Sequence, residues 1–217
     1  MSLKHILRAV SAAAVVAMAG SASAAVVTLD FEGIANETAV GNFYNGGGGT
    51  NYGVSFSGNT LALVDSDAGG GGNFANEPSP NTIMFFTSGA AAILNVAAGF
   101  DTGFSFFYTS STAATITVYD GLNGTGNVLT SFNIVAQFNS NCGGDPTGGF
   151  CNWTAAGAGF AGIAKSINFG GTPDQTGFDN ITFGSATPGS GTIPEPASLA
   201  LVGAALLGLA ASRRRKA

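Results

Sequence analysis

Basic residues are almost missing from this chain. Of seven Lys and Arg, six lie near the ends (Lys4, Arg8, Arg213, Arg214, Arg215 and Lys216), which leaves Lys165 as the one cation between Ala25 and Ile193. It stands there against eleven carboxylates, a net charge of −10. Neutralising nucleic-acid phosphates takes clustered Lys and Arg, so nucleic-acid binding is excluded for this part. Histidine is equally scarce, the single His5 lying in the N-terminal segment. Its absence from the middle excludes Ser-His-Asp and Cys-His catalysis and His-ligated zinc hydrolysis. A Ser–Lys dyad would depend on Lys165 alone. Cysteine is limited to Cys142 and Cys151, which bracket CGGDPTGGFC. Two thiolates with no imidazole beside them make a poor zinc site, and in an exported chain such a pair reads as a disulfide.

The middle is also poor in the helix formers Lys, Glu and Leu, and rich in Gly, Phe, Thr, Asn and Ser. That balance argues for short strands joined by long turns. Period-two alternation and turn punctuation place strands at Val26–Phe31, Val54–Ser57, Leu61–Val64, Thr82–Thr87, Ala91–Val96, Gly103–Tyr108, Ala114–Tyr119, Val128–Val135, Ile163–Phe169 and Phe178–Phe183. These strands predict an all-β domain over residues 25–183, a two-sheet β-sandwich or jelly roll. Shared parity makes Leu29, Phe31, Phe104, Phe106, Tyr108, Ile116 and Val118 candidate core residues. Gly46–Gly49 and Gly69–Gly72 read as loop tips, and residues 184–192 as a flexible Gly/Ser/Thr/Pro linker.

Long apolar runs are absent, but two short ones occupy the ends. Met1–Ala24 has a basic start (Lys4, His5, Arg8), an apolar stretch from Ala9 to Gly20 and small residues at Ala22-Ser23-Ala24, the pattern of a secretory signal peptide cleaved before Ala25. The secretion translocon is its implied partner. At the other end, Pro194-Glu195-Pro196 holds the chain extended. Ala197–Ala211 follows as an apolar run, and Arg213, Arg214, Arg215 and Lys216 stop it. A single transmembrane helix here would place its cations on the cytoplasmic side and the domain outside. Its roughly 22 Å falls short of a hydrocarbon core of about 30 Å, so it reads as a transient anchor.

This order of Pro-Glu-Pro, short apolar helix and Arg cluster over residues 193–217 resembles the PEP-CTERM sorting signal of Gram-negative bacteria. The resemblance implies that exosortase, a membrane-embedded processing enzyme, cuts near Pro194-Glu195-Pro196. The inner membrane would then hold the chain only until processing delivers it to the cell surface or the extracellular space.

Eleven acids without a cation partner suit divalent cations. Asp65-Ser66-Asp67-Ala68-Gly69 opens like an EF-hand loop but lacks the closing Glu. Asp30-Phe31-Glu32-Gly33 closes the first strand and Phe178-Asp179-Asn180-Ile181 opens the last, with Asp179 sharing the parity of Ile181 and Phe183. An inward carboxylate needs a partner. These two stretches resemble the terminal strands of jelly-roll carbohydrate-binding modules, which implies a structural Ca2+ held by Glu32 and Asp179, with Asp30 as a further ligand. Turn-forming acids satisfied by backbone N–H groups are the competing reading. Aromatics beside Gly/Asn-rich loops (Phe43, Tyr44, Tyr52, Phe74, Phe150 and Trp153) are candidates for holding sugar rings, led by Tyr44 and Trp153.

The resulting expectation is an exosortase-processed surface or extracellular-matrix protein, non-enzymatic and associated with exopolysaccharide or biofilm. The alternative is a carboxylate-based extracellular polysaccharide hydrolase. Ice binding is a further alternative, although the chain has no regular Thr-x-Thr ladder.

Overall fold

The computed structural model describes residues 26–140, 142–143 and 148–189. The predicted signal peptide, Pro194-Glu195-Pro196, the apolar run and the Arg cluster lie outside the described residues. Eleven strands form: β1 (Val27–Leu29), β2 (Val54–Phe56), β3 (Thr60–Val64), β4 (Thr82–Phe86), β5 (Ala91–Phe100), β6 (Gly103–Ser110), β7 (Ala114–Tyr119), β8 (Val128–Ile134), β9 (Thr154–Gly159), β10 (Ala164–Gly170) and β11 (Thr176–Phe183). Among the described residues the only helical element is a 3-10 turn at Phe43–Asn45, and no helix is long and apolar enough to cross a membrane.

Two antiparallel sheets face each other, as the alternation predicts. The first runs β3-β4-β11-β6-β9, with β1 also paired to β11; the second runs β2-β5-β10-β7-β8. Their inner faces meet in a phenylalanine core. Phe106 lies 5.5 Å from Phe178 and 5.6 Å from Phe169, and Phe169 lies 4.9 Å from Phe178, all edge-on. Such ring pairs add about 0.5–1.5 kcal/mol each beyond the area they bury. Leu29, Phe31, Phe104, Phe106, Tyr108, Ile116 and Val118 are all buried, so strand parity located the core.

Three differences from the expected strands have local causes. β9 was not anticipated, because Thr-Ala-Ala-Gly-Ala-Gly carries no large or β-branched pattern; backbone pairing with β6 makes it a strand. β1 ends at Leu29 instead of Phe31, since Phe31 turns to φ 62°, a rare conformation for a bulky residue. The buried Phe31 ring and a 2.7 Å hydrogen bond from its N–H to the Tyr44 hydroxyl hold it there. Lastly, the segment after β11 starts out docked: Gly184 N donates to Gly103 O at 3.0 Å, Ser105 Oγ to Ser185 O at 2.9 Å and Gly189 N to Thr182 Oγ1 at 3.3 Å.

β11 positions the site. β6 lines one edge of it, from Thr176↔Ser110 to Phe183↔Phe104. The other edge is shared by β4, at Phe178↔Met84, and β1, from Ile181↔Leu29 to Phe183↔Val27. Where one neighbour gives way to the other, the register shifts between Asp179 and Thr182, and Asn180 adopts φ 48°. This is a β-bulge, which opens the ladder and re-aims a side chain.

Candidate functional site

Asp179 sits at that bulge with no exposed surface. Its Oδ2 accepts from Ser79 N at 2.7 Å, and its Oδ1 accepts from Ser79 Oγ at 2.9 Å and Asn180 N at 2.6 Å. Glu32, in the turn after β1, reaches the same segment from the other side. Its Oε1 accepts from Asn81 N at 3.0 Å and Thr82 N at 2.8 Å, and its Oε2 from Thr82 Oγ1 at 3.3 Å. The approach to β4 is thus clamped between a carboxylate from the turn after β1 and one from β11.

Ser79 joins them. Its hydroxyl oxygen lies 2.9 Å from Asp179 Oδ1, 3.0 Å from Asp30 O, 3.2 Å from Thr82 O and 3.3 Å from Glu32 Oε1. A hydroxyl has one proton to give, so it can satisfy only one of these four oxygens at a time. Backbone N–H groups already serve Glu32 Oε1 and both oxygens of Asp179, as the competing reading expects; a hard cation, which takes six to eight oxygen ligands, would be a further use of this oxygen cluster. Among the described residues no three Asp, Glu, His or Cys side chains gather to hold a metal. A cation here would rely on two carboxylates, one hydroxyl and two carbonyls. Asp30 enters through its backbone carbonyl; its carboxylate accepts instead from Glu32 N at 3.3 Å and from the Tyr44 hydroxyl at 3.5 Å. Desolvation pushes the Asp179 carboxyl up to about 7, and the charge of Glu32 adds to the rise while hydrogen bonds from Ser79 and Asn180 oppose it.

The far side of the same segment borders an open cavity of about 480 Å³ lined by Asp65, Asp67, Asn76, Glu77 and Asn81. Partial burial raises the Glu77 carboxyl to about 7, with the charges of Asp65, Asp67 and Asp179 adding to it. The start of the EF-hand-like stretch is a tight turn, Asp65 O accepting from Ala68 N at 3.2 Å and Gly70 N at 2.8 Å.

The aromatic expectation needs correction at Tyr44. Its ring is 4% exposed and packs edge-on against Phe31 and Phe43, so it offers no face to a sugar. The side chain lies in the core because the 3-10 turn folds back onto Asp30 and Phe31. Phe74 is buried as well, Phe43 and Phe150 are half-buried, and Tyr52 is 41% exposed. Half-buried Trp153 donates its indole N–H to Ala75 O at 3.0 Å and stands edge-on to Phe74. Gly177 below it leaves the room: a Cβ there would come within 2.7 Å of Ile83 Cδ1 and 3.4 Å of Trp153 Cη2. Beside Trp153 a groove of about 40 Å³ opens on the outer face of the first sheet, walled by Leu63, Phe74, Ile83, Phe85 and Phe150 and edged by Asn73, Thr109 and Asp174. Cys142 and Cys151 are disulfide-bonded, with Cα atoms 5.1 Å apart, and so fix the chain next to Phe150.

The structure brings Glu32 and Asp179 onto one segment, and sequence reasoning did not single out Ser79, which meets both, or Glu77 on the adjoining cavity. A Ser-Pro pair ahead of a strand signals a turn and nothing about which carboxylates it will meet.

Residues 192–216 match the PEP-CTERM protein-sorting motif. No curated protein matches the chain. Among solved structures, the K2 cleaved adhesin domain of Lys-gingipain aligns at 12% identity and a TM-score of 0.45, over 73% of this chain and 99% of that one. The carbohydrate-binding module CBM6cm-2 from Cellvibrio mixtus lichenase 5A, in complex with cellotriose, aligns at 14% identity and a TM-score of 0.35, over 72% of this chain and 95% of that one. A glycoside hydrolase family 43 arabinoxylan arabinofuranohydrolase from Bacillus subtilis aligns at 18% identity and a TM-score of 0.36, over 59% of this chain and 25% of that one.

Proposed function

We propose that this chain is an exported, exosortase-processed protein of the surface or extracellular matrix, whose β-sandwich binds exopolysaccharide without cleaving it. The observation that carries the reading is the sorting motif at residues 192–216, joined to a domain with one cation and eleven carboxylates. The secretion translocon and exosortase are its handling partners, and the inner membrane of a Gram-negative cell is a station on its route. For the polysaccharide, the groove beside Trp153 offers half-buried Phe85 and Phe150 with Asn73 and Asp174 at the rim, the mixture that holds sugar rings. Mass spectrometry of the protein recovered from its producer tests the route. The expected product starts at Ala25 and ends near Pro194-Glu195-Pro196; an intact tail on surface-located protein sinks the reading. Retention on the producer's own polysaccharide, weakened by Asn73→Ala and Asp174→Ala, tests the binding.

A structural cation belongs to this reading. Glu32, Asp179, Ser79 and the carbonyls of Asp30 and Thr82 would hold Ca2+, which would supply positive charge where two carboxylates converge on one hydroxyl.

The second reading, a polysaccharide hydrolase, is favoured by one observation: Glu77, raised to about 7, shares a cavity with Asp65 and Asp67. A carboxyl raised toward neutrality beside other carboxyl groups is the arrangement glycoside hydrolysis uses. Release of reducing ends from the polysaccharide, abolished by Glu77→Gln, would establish it, and no release by the wild-type protein would dismiss it.

A further inference from the structure

The two sides of the sandwich are finished differently. On one side the segment Glu37–Gly41 bonds to the outer strands of both sheets. Glu37 N donates to Ala62 O at 2.8 Å, Ala62 N to Thr38 O at 2.9 Å, Val40 N to Thr60 O at 3.0 Å, and Phe56 N to Gly41 O at 2.8 Å. This stitches β3 to β2 and leaves neither edge bare. On the other side stand β8 and β9, the outer strands of the two sheets, which neighbour each other. Each is paired along one edge only, β8 with β7 and β9 with β6, and among the described residues no backbone pairs with their outer edges.

Proteins that stay monomeric blunt such edges with Lys, Pro, bulges or a covering segment. β9 itself has no Lys, Pro or bulge, while β8 carries an extra residue at Leu129 and Ala186 lies against one face of β9 at Gly157. β9 reads Thr-Ala-Ala-Gly-Ala-Gly, and from Gly121 to Ala164 the chain carries a single charged side chain, Asp145. Phe160 N donates to Thr102 O, so the alternation of an antiparallel ladder turns the N–H and C=O groups of Ala156 and Ala158 to β6 and those of Ala155, Gly157 and Gly159 outward. The three most exposed large apolar side chains among the described residues belong to the same stretch: Val135 at 62%, Val128 at 56% and Ile163 at 51%.

Charge selects the occupant. β9 carries no charged side chain, and the nearby Asp101 and Asp120 stand at the ends of the pairing strands, so two copies repel less through β9 than through the rest of their surfaces. A cationic partner would be drawn to the acidic remainder. An antiparallel edge is complementary to itself under a two-fold axis, and the Ala and Gly side chains of β9 let two backbones meet. We propose that the β8/β9 side is a self-association face on which a second copy of this chain pairs β9 with β9, burying the apolar side chains around it.

Sedimentation velocity over a concentration series tests this, on the secreted protein and on residues 26–192, which form one compact unit. The expected result is a concentration-dependent dimer in both, with the amides of Ala155, Gly157 and Gly159 protected from hydrogen exchange in the dimer only. Ala155→Glu, Ala155→Pro and Val128→Glu each weaken dimerisation by at least about tenfold, while the near-UV circular dichroism stays that of the wild type. Val128→Glu keeps the test sound if the Ala155 variants fold poorly, because that position is already exposed. Thr38→Glu, exposed and on the opposite side beside β3, leaves the dimer unchanged. A wild-type protein that stays monomeric up to about 100 μM overturns the proposal, and so does a dimer indifferent to Ala155→Glu and Val128→Glu.

Discussion

The Ser79 hydroxyl brings one proton to a place where four other oxygens want it. Ser79→Ala should therefore lower stability by about 1–3 kcal/mol in urea denaturation, since Asp179 loses a donor in a site that water does not reach. The loss should grow when calcium is supplied, because the variant also lacks a ligand. Equal losses with and without calcium would leave the cation out of the account. The pH response follows from the two raised carboxyls. An acid whose folded pKa lies above its unfolded one favours the folded state while protonated. Its contribution is complete below the ordinary carboxylate range and is lost as pH rises through about 7, the value reached by Asp179 and Glu77. In chelator, the thermal midpoint should carry a downward component across that window, and Asp179→Asn should remove part of it. Calcium should shrink the component as well, by favouring the ionised carboxylate. A slope unchanged by both Asp179→Asn and calcium would refute the assignment.

Among the elements, the disulfide and β9 separate what can be read in a sequence from what cannot. Cys142 and Cys151 declare their pairing through compartment and number, and closing a loop of this length contributes about 2–3 kcal/mol. Replacing both by Ser should reduce the denaturation midpoint accordingly and loosen Phe150, so retention on polysaccharide should fall while far-UV circular dichroism persists. Retention at full strength would detach the groove from the binding reading. Strands such as β6 and β7 were legible because one face is buried and the other is not, which writes alternation into Phe104, Phe106 and Tyr108 or Ile116 and Val118. β9 buries little and is held by backbone groups that every residue has, so its side chains record nothing. The site divides in the same way. Glu32 and Asp179 stood out because acids flanking strands need partners, whereas Ser79 acquires its importance only when β1, β4 and β11 converge.

At the scale of the molecule, β9 is uncharged while the domain carries one cation against eleven carboxylates. Every carboxylate described in detail above, from Asp30 and Glu32 to Asp65, Asp67, Glu77, Asp174 and Asp179, falls outside the stretch from Gly121 to Ala164. Raising ionic strength should therefore strengthen self-association, by screening repulsion between copies with little attraction to lose. Dimerisation that weakens steadily with salt, measured by sedimentation, would mean that ion pairs hold the copies together. The same excess of negative charge would hold nearby divalent cations around the protein, so calcium should affect both the clamp at Ser79 and the approach of two copies. The Ser79→Ala variant separates these effects, since it alters the clamp alone.

One property of β11 concerns force. It is the last strand of the domain, and the chain leaves it toward the sorting motif at residues 192–216. Any pull transmitted from the C-terminus must first detach the docked residues after Gly184 and then enter β11 along its own axis. β6 flanks it on one edge and β4 and β1 on the other, so the load falls on two ladders at once, in shear, and not on one hydrogen bond at a time as in unzipping. A tethered protein in flowing water would be gripped by a strand held on both edges.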